Sequence, residues 1–387
     1  MKKIKVFSVF GTRPEASKMC PVVKTLETSP HIASSVLVTA QHRAMLDQML
    51  DIFKVTPDFD LNIMTPRQTL ESITEKVLGG VCEILKRERP DLILVHGDTS
   101  TTFASALAGF YCGVKVGHVE AGLRSFNKRE PFPEEMNRLL VSRLADIHFA
   151  PTALSRENLI RENIGADSIY VTGNTAVDCL QASLRADYGF ENGALREIDF
   201  TKKRVIAMTA HRGENLGAPL ESICRAVKRI VAAFDDVEVV YAVHLNPAVQ
   251  ETARGILGDV KNVRLIDPLN MTDMHNLMSR SALILTDSGG LQEEAPSMNR
   301  PVVVLRNVTE RPEGLEAGTL VLAGTEEENI FRIVSRLLTD EIFYRKMADA
   351  PNPYGDGHAA ARILNGILHH FGVLSACPAD FQAVPRT

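Results

Sequence analysis

The stretch Thr286-Asp287-Ser288-Gly289-Gly290-Leu291-Gln292-Glu293-Glu294 follows an apolar run, residues 282–285, and precedes Ala295-Pro296. An apolar run of that length ending in Ser-Gly-Gly reads as a buried strand opening into a helix N-terminus. Two glycines let the backbone approach a ligand closely, and the free N–H groups of a helix start favour an anion. Glu294 falls one turn into that helix, placed to accept from sugar hydroxyls. The stretch therefore reads as a nucleotide-diphosphate cradle or as an ordinary strand–helix turn, and the rest of the chain decides between them.

Working outward, the same strand-then-helix alternation recurs. Strands are expected at 4–10, 35–39, 92–95, 114–119, 147–150 and 170–172, with helices at 16–27, 69–87, 134–144 and 153–162. After residues 186–203, which mix Gly, Asn and charge and read as a linker, the pattern restarts. Strands follow at 205–209, 237–243, 263–266, 283–285 and 302–305, with helices at 220–234, 328–338 and 359–370. Strands alternating with helices imply parallel sheets covered on both faces. The fold class is α/β, with two doubly wound Rossmann-like domains facing across a cleft. The division is residues 1–173, residues 174–371, and a Pro- and Ala-rich tail at 372–387 expected to fray.

Composition narrows the class. With 387 residues, 45% of them hydrophobic and 24% charged, two cores of ordinary size are expected. A net charge of −5 without a long basic run argues against nucleic-acid binding. Six scattered cysteines without a C-x-x-C pair favour reduced thiols in a cytoplasmic protein. The first residues lack a signal peptide's apolar core, and no run approaches a membrane span.

In doubly wound sheets ligands bind beyond the carboxyl ends of the strands. Arg13, Asp98, Glu120, His211, His244 and Ser288 all follow expected strand ends. Neither half carries a clean G-x-G-x-x-G and no P-loop is present, so nicotinamide chemistry and ATP hydrolysis are weakly supported. Arg13, Lys18 and Arg311 with the Ser-Gly-Gly turn suit a diphosphate. Asp98, Glu120 and Glu134 suit proton transfer on a sugar. Plainer readings stand beside these: Asp98 as a helix cap, Glu134 as a first-turn acid after Pro133, Arg311 in a surface ion pair. His211, followed by Arg, Gly and Glu, is in too polar a setting for a core histidine. Neither it nor His244 shows metal-ligand spacing.

Nine motifs in order resemble the non-hydrolysing UDP-N-acetylglucosamine 2-epimerase family. They run from Gly11-Thr12-Arg13-Pro14-Glu15-Ala16 through His96-Gly97-Asp98-Thr99, Gly117 to Arg124, and Pro133-Glu134-Glu135 with Asn137-Arg138. They continue through Ala210-His211-Arg212 with Glu214-Asn215, Val243 to Pro247, Thr286 to Pro296, Thr309 to Glu313, and Asn352 to Gly357. The resemblance implies the glycosyltransferase-B architecture, with the last helix crossing back onto the first domain. It implies reversible conversion of UDP-GlcNAc to UDP-ManNAc in a homodimer, with no metal or nicotinamide. UDP would be eliminated across C1–C2 to a 2-acetamidoglucal and re-added with the opposite C2 configuration.

By the same resemblance, Asp98, Glu120 and Glu134 are the acid–base carboxylates, with their assignment to the two faces of C2 left open, and His211 stabilises departing UDP. Arg13, Lys18 and Arg311 hold phosphates. Ser288, Gly289 and Gly290 bind phosphate through backbone N–H groups, Glu294 takes the ribose hydroxyls, and Leu269 and Met274 line the uracil pocket. Gln41, His42, Arg43, Arg67 and Gln68, with His244, match a region where a second UDP-GlcNAc activates bacterial members. Gly213 stands where an Arg is usual, which removes a cation from that region. Three other activities fit the same motifs: a hydrolysing 2-epimerase that frees ManNAc and UDP, an epimerase of a 2,3-diacetamido UDP-sugar, and a glycosyltransferase of the same architecture. A non-catalytic sugar-nucleotide sensor would be expected to lose the three carboxylates first.

Overall fold

The computed structural model describes residues 2–309 and 311–384. The chain forms two compact units. The first runs to Cys179 and takes in Gly355–Gln382; the second is Leu180–Tyr354. Set beside the sequence boundary at 173/174, the change of unit falls a few residues later, inside one helix.

The first unit carries β1 (Ile4–Phe10), β2 (Ile32–Val38), β3 (Phe59–Asp60), β4 (Leu92–His96), β5 (Lys115–Val119), β6 (Ile147–Ala150) and β7 (Ile169–Val171). Its helices are α1 (Arg13–Glu27), α2 (Arg43–Phe53), α3 (Leu70–Glu88), α4 (Ser100–Cys112), α5 (Glu134–Leu144) and α6 (Ala153–Arg161). The helix α7 (Thr175–Ser183) carries the chain from the first unit into the second.

The second unit carries β8 (Arg204–Thr209), β9 (Val237–Ala242), β10 (Val263–Ile266), β11 (Leu283–Thr286), β12 (Val302–Val304) and β13 (Leu320–Leu322). Its helices are α8 (Gly193–Arg196), α9 (Ala218–Ala233), α10 (Pro247–Leu257), α11 (Met271–Arg280), α12 (Gly289–Glu294), α13 (Pro312–Ala317), α14 (Glu327–Thr339) and α15 (Glu341–Ala348). The last helix, α16 (Ala359–His370), belongs to the first unit and packs on α1 and β7.

The sheets run in the orders β3-β2-β1-β4-β5-β6-β7 and β10-β9-β8-β11-β12-β13. Every strand pair is parallel, as in β1 with β4 and β8 with β11. The order reverses between β1 and β4 in one sheet and between β8 and β11 in the other. Those switch points are where an open α/β sheet leaves a crevice for a ligand.

Strand alternation divides the second unit's core in two. Ile206 and Met208 of β8, with Val239 and Tyr241 of β9, pack beneath α9, α10 and α14. Val205 and Ala207, with Val240 and Ala242, face the other layer with Leu277 and Met278 of α11. A period of two sends neighbours to opposite faces, and both faces are buried, so the strands read as unbroken apolar runs.

Three expectations are corrected. β2 begins at Ile32, not residue 35, because it pairs with β1 along its whole length, and Ser34 and Ser35 inside it hide it from an apolar pattern. Residues 186–203 are not a linker. Phe190, Leu195 and Ile198 are buried in the second unit's core, and Arg280 lies over the Phe190 ring. The chain after Gly372 does not fray at once. Phe381 N–H donates to Val171 O at 2.7 Å, and Asp380 Oδ1 accepts from Val171 N at 3.0 Å, so the segment covers the edge strand β7. Residues 385–387, and Glu310 of the Thr309–Glu313 motif, lie outside the described residues.

Candidate active site

In the first unit the turn after β1 is fixed by a buried carboxylate. Thr12 caps α1 and Glu15 completes the capping box. Glu15 Oε2 accepts from Gly11 N at 2.9 Å and Thr12 N at 2.7 Å. Its Oε1 accepts from Thr99 Oγ1 at 2.6 Å and Thr102 Oγ1 at 3.0 Å, so the loops after β1 and β4 are bolted together. Burial raises the Glu15 pKa, and these hydrogen bonds partly offset it. A Cβ at Gly11 would fall 1.8 Å from Thr39 Oγ1, so this turn requires glycine.

Asp98 follows Gly97, whose φ is +66°. The helix after it is capped by Thr99, so the capping reading of Asp98 is set aside. Arg138 on α5 grips Asp98 Oδ2 through Nε at 2.8 Å and Nη2 at 2.7 Å, and Asn137 Nδ2 donates to Asp98 O at 2.8 Å. Glu120 has a left-handed backbone, φ +64°, a strained state for a residue with a side chain. Its carboxylate pairs with Lys18 and accepts from Asn174 Nδ2 at 3.0 Å. Glu120 Oε1 lies 3.6 Å from where a Cβ on Gly97 would stand, which brings it beside the Asp98 loop.

Glu134 opens α5, and its Oε2 is buried without a hydrogen-bond partner among the described residues. Leaving a buried carboxylate oxygen without a partner is costly in a folded protein. Next to it, Glu135 accepts from Ser125 N at 3.0 Å and Phe126 N at 2.9 Å, anchoring the loop ahead of α5. Arg13 is exposed at the first position of α1.

Two histidines under this end of the sheet are neutral at pH 7. His96 is pushed down to about 4 by burial, partly countered by Glu120, whose Oε2 is 3.8 Å from its Nε2. His118 is pushed down to about 3 by burial and hydrogen-bonds Gly97 O through Nε2 at 2.8 Å.

The residues matched to a second nucleotide region sit beside β2 and α2. Gln41 Oε1 accepts from Thr101 Oγ1 at 2.9 Å, and Gln41 O accepts from Gln68 Nε2 at 3.0 Å. Arg43 pairs with Asp47 at 3.0 Å and with Asp60. His42 and Arg67 are exposed. His244 is in the second unit instead, its ring stacked on His211 with centroids 5.2 Å apart. At Gly213 no atom lies within 4 Å of where a Cβ would be.

In the second unit the loops after β8 and β11 meet on Asp287, a residue with no exposed surface. Its Oδ2 accepts from His211 N at 2.7 Å, Arg212 N at 2.8 Å and Asn215 Nδ2 at 3.0 Å. Its Oδ1 is 3.4 Å from His211 Nδ1. Burial lowers the His211 pKa; Asp287 opposes that, while His244 and Arg212 add to it. Ser288 is the N-cap of α12 without a side-chain cap bond, and Gly290 is exposed.

Glu294 Oε2 lies 3.3 Å from His275 Nε2. Arg311 pairs with the buried Glu293 of α12, so its guanidinium is held by the cradle helix rather than in the exposed pair that sequence allowed. Leu269, Met274 and Leu291 each pack, partly buried, against one core cluster.

Asp98, Glu120, Glu134 and Lys18 thus gather at the carboxyl end of the first sheet. His211, the Ser-Gly-Gly turn, Glu294 and Arg311 gather at the same end of the second. Sequence reading passed over Glu15, His96, His118, Glu135, His275 and Asp287. Two had a signal: the Thr-x-x-Glu capping box at Thr12, and the acid within the opening stretch itself. Among the described residues no cluster of three His, Cys, Asp or Glu side chains is placed to hold a metal ion, and no helix is long and apolar enough to cross a membrane.

Comparison with known proteins adds to this geometry. A family model described as UDP-N-acetylglucosamine 2-epimerase matches residues 24–368. UDP-N-acetylglucosamine 2-epimerase of Bacillus subtilis (strain 168) is 55% identical over 98% of this chain and 99% of its own. The protein of the same name from Escherichia coli (strain K12) is 49% identical over 95% and 99%. The crystal structure of UDP-GlcNAc 2-epimerase from Neisseria meningitidis bound to UDP-GlcNAc is 45% identical, with a TM-score of 0.85 over 95% of this chain and all of that one.

Proposed function

The chain belongs to the UDP-N-acetylglucosamine 2-epimerase family, and on that premise we propose that it interconverts UDP-GlcNAc and UDP-ManNAc without hydrolysis. The second unit holds UDP and the first supplies the acid–base carboxylates. The observation that carries the reading is Glu134 Oε2, buried and without a partner at the sheet end that also presents Asp98 and Glu120.

In the forward reaction a carboxylate takes the C2 proton, the electron pair forms the C1–C2 double bond, and the bond from C1 to the β-phosphate oxygen breaks. UDP leaves and a 2-acetamidoglucal remains. In the return, a protonated carboxyl delivers a proton to the other face of C2 while UDP oxygen rebonds to C1. Two carboxylates therefore exchange roles, and the third orients the sugar. Asp98 and Glu120 are each held by a cation, Arg138 and Lys18, which fixes their place. Glu134 has an oxygen open to a proton.

Departing UDP takes one further negative charge on its β-phosphate oxygen as the bond to C1 breaks. Backbone N–H groups at Ser288–Gly290, with His211, Arg13 and Arg311, stabilise that charge. Lys18, which pairs with Glu120, is a further phosphate-holding cation in this reading. Leu269 and Met274 take uracil. Gln41, His42, Arg43, Arg67, Gln68 and His244 bind a second UDP-GlcNAc that activates the enzyme, weakened by Gly213. The working form is a cytoplasmic homodimer.

The test is product analysis of purified protein with UDP-GlcNAc by NMR. The reading expects UDP-ManNAc approaching a fixed ratio from either substrate. Free ManNAc and UDP in equal amounts as the main products would replace it with a hydrolysing enzyme.

A further inference from the structure

Behind Glu294 lies a layer that no family motif names. α11 brings His275 into the interior of the second unit, where it is 3% exposed. Both ring nitrogens are engaged. Nδ1 is 2.6 Å from Ser183 Oγ, and Nε2 is 3.3 Å from Glu294 Oε2.

Proton accounting fixes the direction of this chain. The Ser183 hydroxyl donates to Leu180 O at 2.8 Å. Its single proton is thereby used, and its lone pairs face His275, so Nδ1 carries the N–H. On the far side Nε2 faces Glu294 Oε2 at ion-pair distance, 3.3 Å. His275 and Glu294 therefore stand in direct contact, with the ring's orientation set from Ser183.

The supports of this pair are rigid. Asp273, one position before Met274, accepts from Tyr188 Oη at 3.0 Å, Glu191 N at 3.0 Å and Asn192 N at 2.9 Å. Asn276 Nδ2 donates to Ser183 O at 3.0 Å. The first turns of α11 and the segment that carries Ser183 are thus fastened on both sides of His275.

The consequence falls on the other oxygen. With Oε2 held, Glu294 Oε1 stands 4.0 Å from where a Cβ on Gly290 would be, next to the Ser-Gly-Gly turn. Among the described residues no hydrogen bond to Oε1 is formed. We infer that His275, oriented by Ser183, is the positioning residue for ribose recognition: it clamps one oxygen of Glu294 so that the other is presented to the ribose hydroxyls. The inference rests on the proposed reading of this unit as the UDP site. A histidine that merely satisfied the core would hold the fold together without affecting which sugar ring the site prefers.

The experiment is calorimetric titration of the full-length protein with UDP and with 2′,3′-dideoxy-UDP, which lacks the hydroxyls. A hydrogen bond to a charged group sets the expected wild-type preference for UDP at roughly 10- to 150-fold. In His275→Asn the amide sits near the Nδ1 position and no donor reaches Glu294. The preference should fall below about threefold while dideoxy-UDP affinity stays within about twofold of wild type, the size of change left when no charged hydrogen bond is lost. In His275→Gln the amide sits near the Nε2 position and should restore most of the preference.

An unchanged preference in His275→Asn overturns the inference. So does equal loss of preference in His275→Asn and His275→Gln. Should His275→Asn not fold, folded His275→Gln decides alone, and loss of its preference is then the refuting result. If the wild-type protein binds neither nucleotide, the UDP reading falls and takes the inference with it. If it binds UDP and the variants keep its preference, only the role of His275 falls.

Discussion

Asp287→Asn removes one charge from the second unit and leaves its shape. The carboxylate has no exposed surface, and its Oδ2 receives three donors, from His211 N, Arg212 N and Asn215 Nδ2. A hydrogen bond to a charged acceptor contributes about 1 kcal/mol more than one to a neutral acceptor, so three of them lose about 3 kcal/mol. At a urea dependence of roughly 1–3 kcal/mol per molar, the midpoint of the second unit should fall by about 1 M or more. Because His211 and Ser288 hang on the same residue from two strands, UDP binding should weaken in step. The assay is urea unfolding followed by circular dichroism, with and without saturating UDP. A midpoint within about 0.3 M of wild type would refute the reasoning, since even one weakened charged bond would shift it by as much.

Glu134→Gln should lower kcat by roughly 10²–10⁴, yet move the unfolding midpoint little, because Oε2 has no partner to lose. Steady-state rates and a melt on the same sample check both halves. Gly122→Ala should destabilise the first unit by roughly 2–4 kcal/mol, combining left-handed backbone cost and overpacking. Gly122 has φ +92°, and a Cβ would meet Ser155 O at 2.2 Å, which denaturant titration would register. For pH, the folded pKa of His118 lies at about 3 because of burial. The unfolded chain takes up that proton near pH 6.5 and the folded chain does not. The contribution is therefore fully present above pH 6.5 and is lost as pH falls towards the folded value. His118→Gln removes the titration, so the stability gap between wild type and variant should change by about 1.4 kcal/mol per pH unit between pH 6 and 4. A gap independent of pH would show that the ring is not held neutral.

Much of this architecture was legible because parallel strands buried on both faces must be apolar throughout. Residues 4–10 and 283–285 could hardly be anything else. Glycines and polar residues placed directly after them then marked the switch points. What the sequence could not disclose has a common cause: burial of polar groups depends on partners far away in the chain. Glu15 looks like an exposed first-turn acid until Thr99 and Thr102 arrive from the next strand. His275 looks like one polar residue in a polar helix until Ser183 and Glu294 close on it. β3, with only two residues, and the buried segment around Phe190 lack the periodicity that a local window detects. The cap reading of Asp98 failed for a different reason. Thr99 has its own hydroxyl one position later and takes that role, which leaves the Asp98 carboxylate to Arg138.

The central claim is that a proton leaves C2 of the sugar and one returns from solvent-exchanged carboxyl groups. Incubation of the protein with UDP-GlcNAc in D₂O, read by proton NMR, addresses it directly. The account predicts deuterium at C2 of both UDP-ManNAc and recovered UDP-GlcNAc. Conversion to UDP-ManNAc with the C2 proton fully retained would contradict it.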